Sequence, residues 1–198
     1  LNEDNQRVFK IALSVEKDPL AHLTLTLRSF YRQFGEGEVP VDYYDLLHGT
    51  ISLEELYKRW PEQAAHAKNE AWCGTLGDPD EKDMNAVSDA EVDARISAVL
   101  QGRTDWLLIG GPPCQAYSIV GRSRRKEKIL NEDNDKRVGL YKQYLRILSR
   151  HSPAVFVMEN VKGILSAETS EDKIFSRILQ DLSDPETSYP AQEAHAPC

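Results

Sequence analysis

Cysteine is scarce in this chain. Three residues in 198, Cys73, Cys114 and Cys198, stand far apart, which excludes a disulfide framework and a Cys-x-x-Cys metal site. The five histidines lack ligand spacing, so no metal is expected. No apolar run approaches the roughly 18 residues of a membrane span, and no signal-peptide pattern opens the chain. Membrane partners are therefore not expected, and a reducing cytoplasm suits the scattered thiols. Cations are also short: 24 Lys and Arg against 32 Asp and Glu give a formal net charge of −8. That total argues mildly against nucleic-acid binding, which usually leaves a basic footprint. What remains is the composition of a globular protein, 40% hydrophobic and 28% charged. Its length suits one domain burying about 70% of its unfolded surface.

The chain is organised around Asp105-Trp-Leu-Leu-Ile-Gly-Gly-Pro-Pro-Cys-Gln-Ala-Tyr-Ser118. Trp106 to Ile109 has the length and composition of a fully buried parallel strand. Gly110, Gly111, Pro112 and Pro113 stop it abruptly, and Cys114 follows the break. In open α/β sheets the ligand crevice lies beyond the carboxyl ends of the strands, where a thiol nucleophile is useful. Read alone, a lone Cys in a turn is more often just a small apolar residue; the Gly-Gly-Pro-Pro frame favours chemistry.

Charge distribution matters more than its sum. Residues 122–128, Arg-Ser-Arg-Arg-Lys-Glu-Lys, hold five cations against one anion. Such a run is commonly a solvated loop, but its place eight residues after Cys114 favours phosphate contact by Arg122, Arg124 and Arg125.

Other elements are read from local signals. Arg7 to Val15 has strand character. Asp18-Pro19 is an N-cap and first helical residue, and Leu20, Leu23, Leu27, Phe30 and Phe34 then recur at helical spacing. Residues 35–87 carry the weakest pattern, apart from a capping box at Ser52-Leu-Glu-Glu55 and turn chemistry at 76–83. The capping-box helix puts Leu53, Leu56, Tyr57 and Trp60 on its apolar side. A second capping box, Ser88-Asp-Ala-Glu91, opens a helix with Val92, Ile96, Val99 and Leu100 inward, up to Gly102. Gly139 to Leu148 is helical with Leu140, Tyr144 and Leu148 on one stripe. Ser152-Pro153 ends it, and Ala154 to Met158 is the next buried strand. A last helix is expected near 171–182, with Ile174, Ile178, Leu179 and Leu182 inward; 183–198 has no periodicity. Alternating strands and helices give an α/β class with a doubly wound, mostly parallel sheet.

Gly-Gly-Pro-Pro-Cys-Gln-Ala-Tyr-Ser resembles the nucleophile motif of the DNA cytosine-5 methyltransferases, and Val155-Phe-Val-Met-Glu-Asn-Val-Lys-Gly-Ile-Leu165 resembles their Glu-Asn-Val block. The resemblance implies a Rossmann-like sheet of the S-adenosylmethionine-dependent type. It also implies that Cys114 adds to C6 of a flipped-out cytosine while Glu159 assists at N3. A thiolate at C6 puts electron density on C5, splitting one hard step into easier ones. A free thiol is only about 3% thiolate at neutral pH, so the nucleophile needs an activating setting. A carboxyl group donates a proton near neutrality only where burial or its neighbours favour the protonated form.

By the same resemblance Pro113, Gln115 and Ser118 shape the nucleophile loop and touch the nucleotide, and Asn160 braces the loop after Glu159. S-adenosylmethionine is the implied methyl donor, leaving S-adenosylhomocysteine. Its contacts fall on Glu16 and Lys17 at the first strand end, on Pro112, on Leu140 at a helix start, and on Asp78 against the adenine. Read by itself, Asp78 is a solvated loop acid.

Residues 1–182 are thus expected to form part of a methyltransferase catalytic domain. Residues 183–198 read as an irregular tail or the start of a target-recognition region. The family's Gly-rich opening motif and its Gln-x-Arg-x-Arg motif are not found, so these residues alone are expected to bind cofactor weakly and turn over poorly. Double-stranded DNA is the implied substrate, in a bacterial, nucleoid-associated setting with a restriction endonuclease as cellular partner. Two alternatives remain open: a tRNA cytosine-5 methyltransferase of the same family, and a non-catalytic DNA-binding remnant. An unrelated α/β thiol enzyme has only Cys114 to recommend it.

Overall fold

The computed structural model describes residues 8–77, 84–112, 136–159 and 179–188, with backbone alone for 136–140. The chain divides into two compact units, Leu1–Val99 and Leu100–Cys198. Each is an α/β arrangement of helices on short parallel strand pairs.

In the first unit, β1 (Ser14–Glu16) pairs in parallel with β2 (Ala71–Cys73), Ser14 opposite Ala71 and Glu16 opposite Cys73. The strand expected over 7–15 is only these three residues among the described ones, because its partner offers just three. Helix α1 (Pro19–Arg32) starts where the sequence places it: the Asp18 carboxylate accepts the amides of Leu20 and Ala21, both at 2.9 Å.

Its inward face differs from the expected leucine stripe. Leu20 and Leu23 are 76% and 51% exposed, while Thr26, Ser29 and Phe30 are buried. Small and polar residues let the helix come close to β2. There His22 Nε2 lies 3.2 Å from the Ala71 carbonyl, and Thr26 returns its hydroxyl to the His22 carbonyl at 2.8 Å.

Three elements of this unit carry little sequence signal: α2 (Val41–Leu47), α4 (Pro61–Glu70) and β2. Between α2 and α4, α3 (Leu53–Arg59) begins at the capping box as expected, with both reciprocal Ser52–Glu55 bonds made. Phe30, Leu56, Ala64 and Ala67 form the core, and Leu27, Phe34, Leu53, Tyr57 and Trp60 pack around it. Ion pairs Arg32–Glu70 and Arg59–Asp42 tie the helices together at the rim. The hydrogen bond from the Trp60 indole, then that from Arg59, holds the Asp42 carboxyl below its usual range.

A second parallel pair, β3 (Thr75–Leu76) with β4 (Ala86–Val87), leads to α5 (Asp89–Leu100). The Ser88–Glu91 bonds of the second capping box are present, and Val92 and Ile96 are buried.

The second unit holds β5 (Leu107–Gly110) in parallel with β6 (Val155–Met158), Leu107 opposite Val155 and Gly110 opposite Met158. Helix α6 (Lys136–His151) covers one face, burying Tyr141, Tyr144, Leu145 and Leu148 against Leu108, Met158 and Leu182. It stops before Ser152, which takes a positive φ of 42° ahead of Pro153.

The two strands were expected to be buried on both faces. Among the described residues of this unit α6 covers one face, while Ile109 is 66% and Val155 56% exposed, and Val157 is exposed as well. Alternation accounts for part of this, since Leu108 and Met158 point at α6 while Ile109 and Val157 point the other way, but Phe156, edge-on to Tyr144 on the α6 side, is 38% exposed as well. Of the expected helix near 171–182, residues 179–183 are helical. Leu182 packs inward as expected, but Leu179 is exposed. A single further turn, α7 (Pro185–Ser188), lies where no element was expected. No helix among the described residues is long and apolar enough to cross a membrane.

Candidate functional site

The carboxyl ends of β5 and β6 meet at one point. The ladder closes there with the Glu159 amide donating to the Gly110 carbonyl at 2.9 Å. Glu159 is exposed, unlike the partly buried setting its expected role suggests. Its side chain is nonetheless directed toward β5: a Cβ placed on Gly111 would lie 2.9 Å from Glu159 Oε2 and 3.7 Å from its carbonyl oxygen. The missing side chain at 111 is thus the space the carboxyl uses. Half-buried Pro112 follows.

Gly110 serves a different neighbour. A Cβ there would meet Tyr144 at 2.7 Å (Cε2) and 3.0 Å (Cδ2). The tyrosine lies edge-on to Phe156 with ring centroids 6.4 Å apart, and its hydroxyl donates to the Val157 carbonyl at 3.1 Å. Burial pushes the Tyr144 hydroxyl up to about 12, so it stays a neutral donor at ordinary pH.

In the first unit, half-buried Glu16 closes β1, and exposed Lys17 follows it. Glu16 Oε1 accepts the Asp18 amide at 2.9 Å, and the Glu16 carbonyl accepts from Gly74 at 3.1 Å. A carboxylate has about four acceptor positions, so this one retains capacity for hydroxyl donors.

The remaining expected site residues, Asp78, Pro113, Cys114, Gln115, Ser118, Arg122, Arg124, Arg125 and Asn160, lie outside the described residues, as does the side chain of Leu140. Among the described residues no three His, Cys, Asp or Glu side chains gather as a metal site would require.

Sequence reading missed what the two glycines accommodate. It took them as strand terminators, and the available signal was their repetition where one would suffice. The charge balance also sharpens when taken by unit. Residues 1–99 hold ten cations against nineteen anions, and residues 100–198 fourteen against thirteen. The acidic excess therefore belongs to the first unit, and the unit carrying both motifs is close to neutral.

The model of the family C-5 cytosine-specific DNA methylase matches residues 80–190, a span containing both motifs. The chain belongs to this family. Type II methyltransferase M.Bpa9945I of Bacillus paralicheniformis is 34% identical over 184 residues, covering 88% of this chain and 40% of that protein. Type II methyltransferase M.AquIA of Picosynechococcus is 37% identical over 79 residues, covering 40% of the chain and 28% of its own length. DNA (cytosine-5-)-methyltransferase M.ApeKI of Aeropyrum pernix is 39% identical over 77 residues, with 39% and 15% covered. The methylase chain thus spans at most about two fifths of these relatives. No solved structure matches it.

Proposed function

We propose that this chain carries the methyl-transfer chemistry of a DNA cytosine-5 methyltransferase, with Cys114 as nucleophile and Glu159 as the acid at N3. The observation that carries this reading is the Glu159 carboxyl lying over Gly111, at the strand end from which the chain runs to Cys114. Three residues of extended chain span at most about 11 Å, so thiol and carboxyl are tethered to the same pair of strand ends. Membership of the DNA methylase family supports the same assignment.

Cys114 as thiolate forms a bond to C6 of the cytosine while Glu159, exposed in the free chain and covered once the flipped base is seated against it, donates a proton or hydrogen bond at N3. The electron pair displaced from the ring makes C5 nucleophilic. S-adenosylmethionine, when bound, supplies an electrophilic methyl group for C5. Transfer of the C5 proton to water then expels Cys114 as thiolate with the C6–S electron pair, and the N3 proton returns to Glu159. Glu16 is the residue fitted to hold the ribose of that donor, with Lys17, Asp78, Pro112 and Leu140 assigned to its other contacts. The target base must leave the duplex stack to reach a side chain at a strand end. Arg122, Arg124 and Arg125 hold the flanking phosphates in a salt-dependent way. This function implies a doubly wound sheet; the described strands pair in parallel, two by two.

Duplex DNA containing 5-fluorocytosine, incubated with the chain and S-adenosylmethionine, tests the reading, because fluorine at C5 cannot depart as a cation in the proton's place and the C6–S bond then persists. A denaturation-resistant adduct that disappears in Cys114→Ser is the expected result. Salt-sensitive binding without an adduct would leave only a DNA-binding remnant, and an adduct confined to tRNA would change the substrate.

A further inference from the structure

We infer that Tyr144 is a positioning residue for the reacting groups, clamping the carboxyl ends of β5 and β6 so that the Gly110-Gly111 segment and Glu159 keep a fixed separation. Its catalytic consequence rests on the function proposed above; the clamp itself does not. Tyr144 reaches both strands from a third element. Its ring fills the volume beside Gly110 on β5, close enough that a Cβ would lie 2.7 Å away. Its hydroxyl donates to Val157 on β6 at 3.1 Å, two residues before Glu159, and its ring meets Phe156 edge-on. The side chain is 6% exposed and sits in the core of α6 with Tyr141, Leu145 and Leu148, so its own place is set by packing.

This arrangement exceeds what a core residue requires. An aliphatic side chain would fill the same cluster, but it could not bond a strand carbonyl next to the site. The hydroxyl also makes the contact insensitive to ordinary pH, since burial keeps it protonated. Positional control is needed here because acid catalysis depends on heavy-atom separations near 3 Å, and misplacement by about 1 Å can cost on the order of 100-fold.

Tyr144→Phe removes the hydroxyl and keeps the ring, so the fold is retained. Two amides bracket the strand pair: Glu159 donating to Gly110 at the carboxyl end, and Ala154 donating to Trp106 at 3.1 Å at the opposite end. Amide hydrogen exchange followed by NMR is expected to speed up about 5-fold at Glu159, the equivalent of one hydrogen bond of roughly 1 kcal/mol. Ala154 should stay within twofold of its parent rate.

Equal acceleration at both amides would mean general loosening and would overturn the proposal, as would no change at Glu159. In the 5-fluorocytosine assay, the rate of adduct formation at saturating DNA should fall about 5-fold, with the half-saturating DNA concentration within twofold. A change confined to the half-saturating concentration would overturn the catalytic part. Should the parent chain form no adduct, the proposed function fails while the exchange result still decides the clamp.

Discussion

Two adjacent glycines, replaced one at a time by alanine, are expected to fail in opposite ways. Neither Gly110 nor Gly111 has a positive φ, so an alanine can adopt either backbone and the difference must come from what its methyl meets. At 110 the methyl would meet a buried ring 2.7 Å away, where ordinary contact begins near 3.4 Å. Tyr144 must therefore retreat by about 0.7 Å within a close-packed cluster, an overpacking cost of roughly 1–3 kcal/mol. The same retreat stretches its 3.1 Å bond to Val157 beyond hydrogen-bonding range, costing about 1 kcal/mol more. A loss near 2–4 kcal/mol lowers Tm by several degrees in a chain of this size.

At 111 the methyl would meet the far end of an exposed, flexible glutamate at 2.9 Å. Rotation of that side chain removes the clash at little cost, and loss of a glycine stiffens the unfolded chain by about 0.4–1 kcal/mol in the stabilising direction. The displaced carboxyl is then no longer over residue 111, so adduct formation on 5-fluorocytosine DNA should fall at least about tenfold. Urea and thermal melts read the first effect, and the trapping assay reads the second. Equal melting of the Gly110→Ala variant and the parent would refute the packing reasoning. Full trapping activity in Gly111→Ala would refute the role given to the carboxyl's position.

Leu56 is wholly buried among Phe30, Ala64 and Ala67, and Leu56→Ala is expected to cost about 2–5 kcal/mol by urea denaturation. Ser52→Ala removes one half of the first capping box and should cost about 1 kcal/mol in the same assay. The Ser52 amide, then its hydroxyl, holds the Glu55 carboxyl below its ordinary value. A carboxyl depressed on folding stabilises above its unfolded pKa, and that contribution disappears as pH falls through the lower folded value. Glu55→Gln should therefore flatten part of the acid limb of a stability–pH curve and leave the neutral plateau little changed in slope.

Elements set by local chemistry were readable. Asp18-Pro19 starts α1 and the two Ser-x-x-Glu boxes start α3 and α5, because a cap is satisfied within three residues of chain. Elements set by distant partners were not. β2 is three residues long and exists as a strand through pairing with β1, 57 positions earlier at Ser14–Ala71. α4 turns only Ala64 and Ala67 fully inward, and two alanines give no apolar period to count. Leu20 and Leu23 misled for the converse reason: their spacing is helical, but the helix face was chosen by how closely His22 and Thr26 let it approach β2.

The site shows the same division at finer scale. A strand that stops and a carboxylate that follows another strand are visible in composition, and parallel pairing brings the two ends together. What composition does not distinguish is Gly110 from Gly111. The first yields its side-chain volume to the tyrosine that reaches across both strands, and the second yields the same volume to the glutamate. Exchanging their roles by a one-residue slip would send each vacancy to the wrong face of the pair, since successive residues of a strand point to opposite sides. Register therefore sets where the backbone of the acid stands relative to Gly110 and Gly111. The bond from Glu159 to Gly110 and the ring against Gly110 hold that register at the end where the chemistry is proposed to occur.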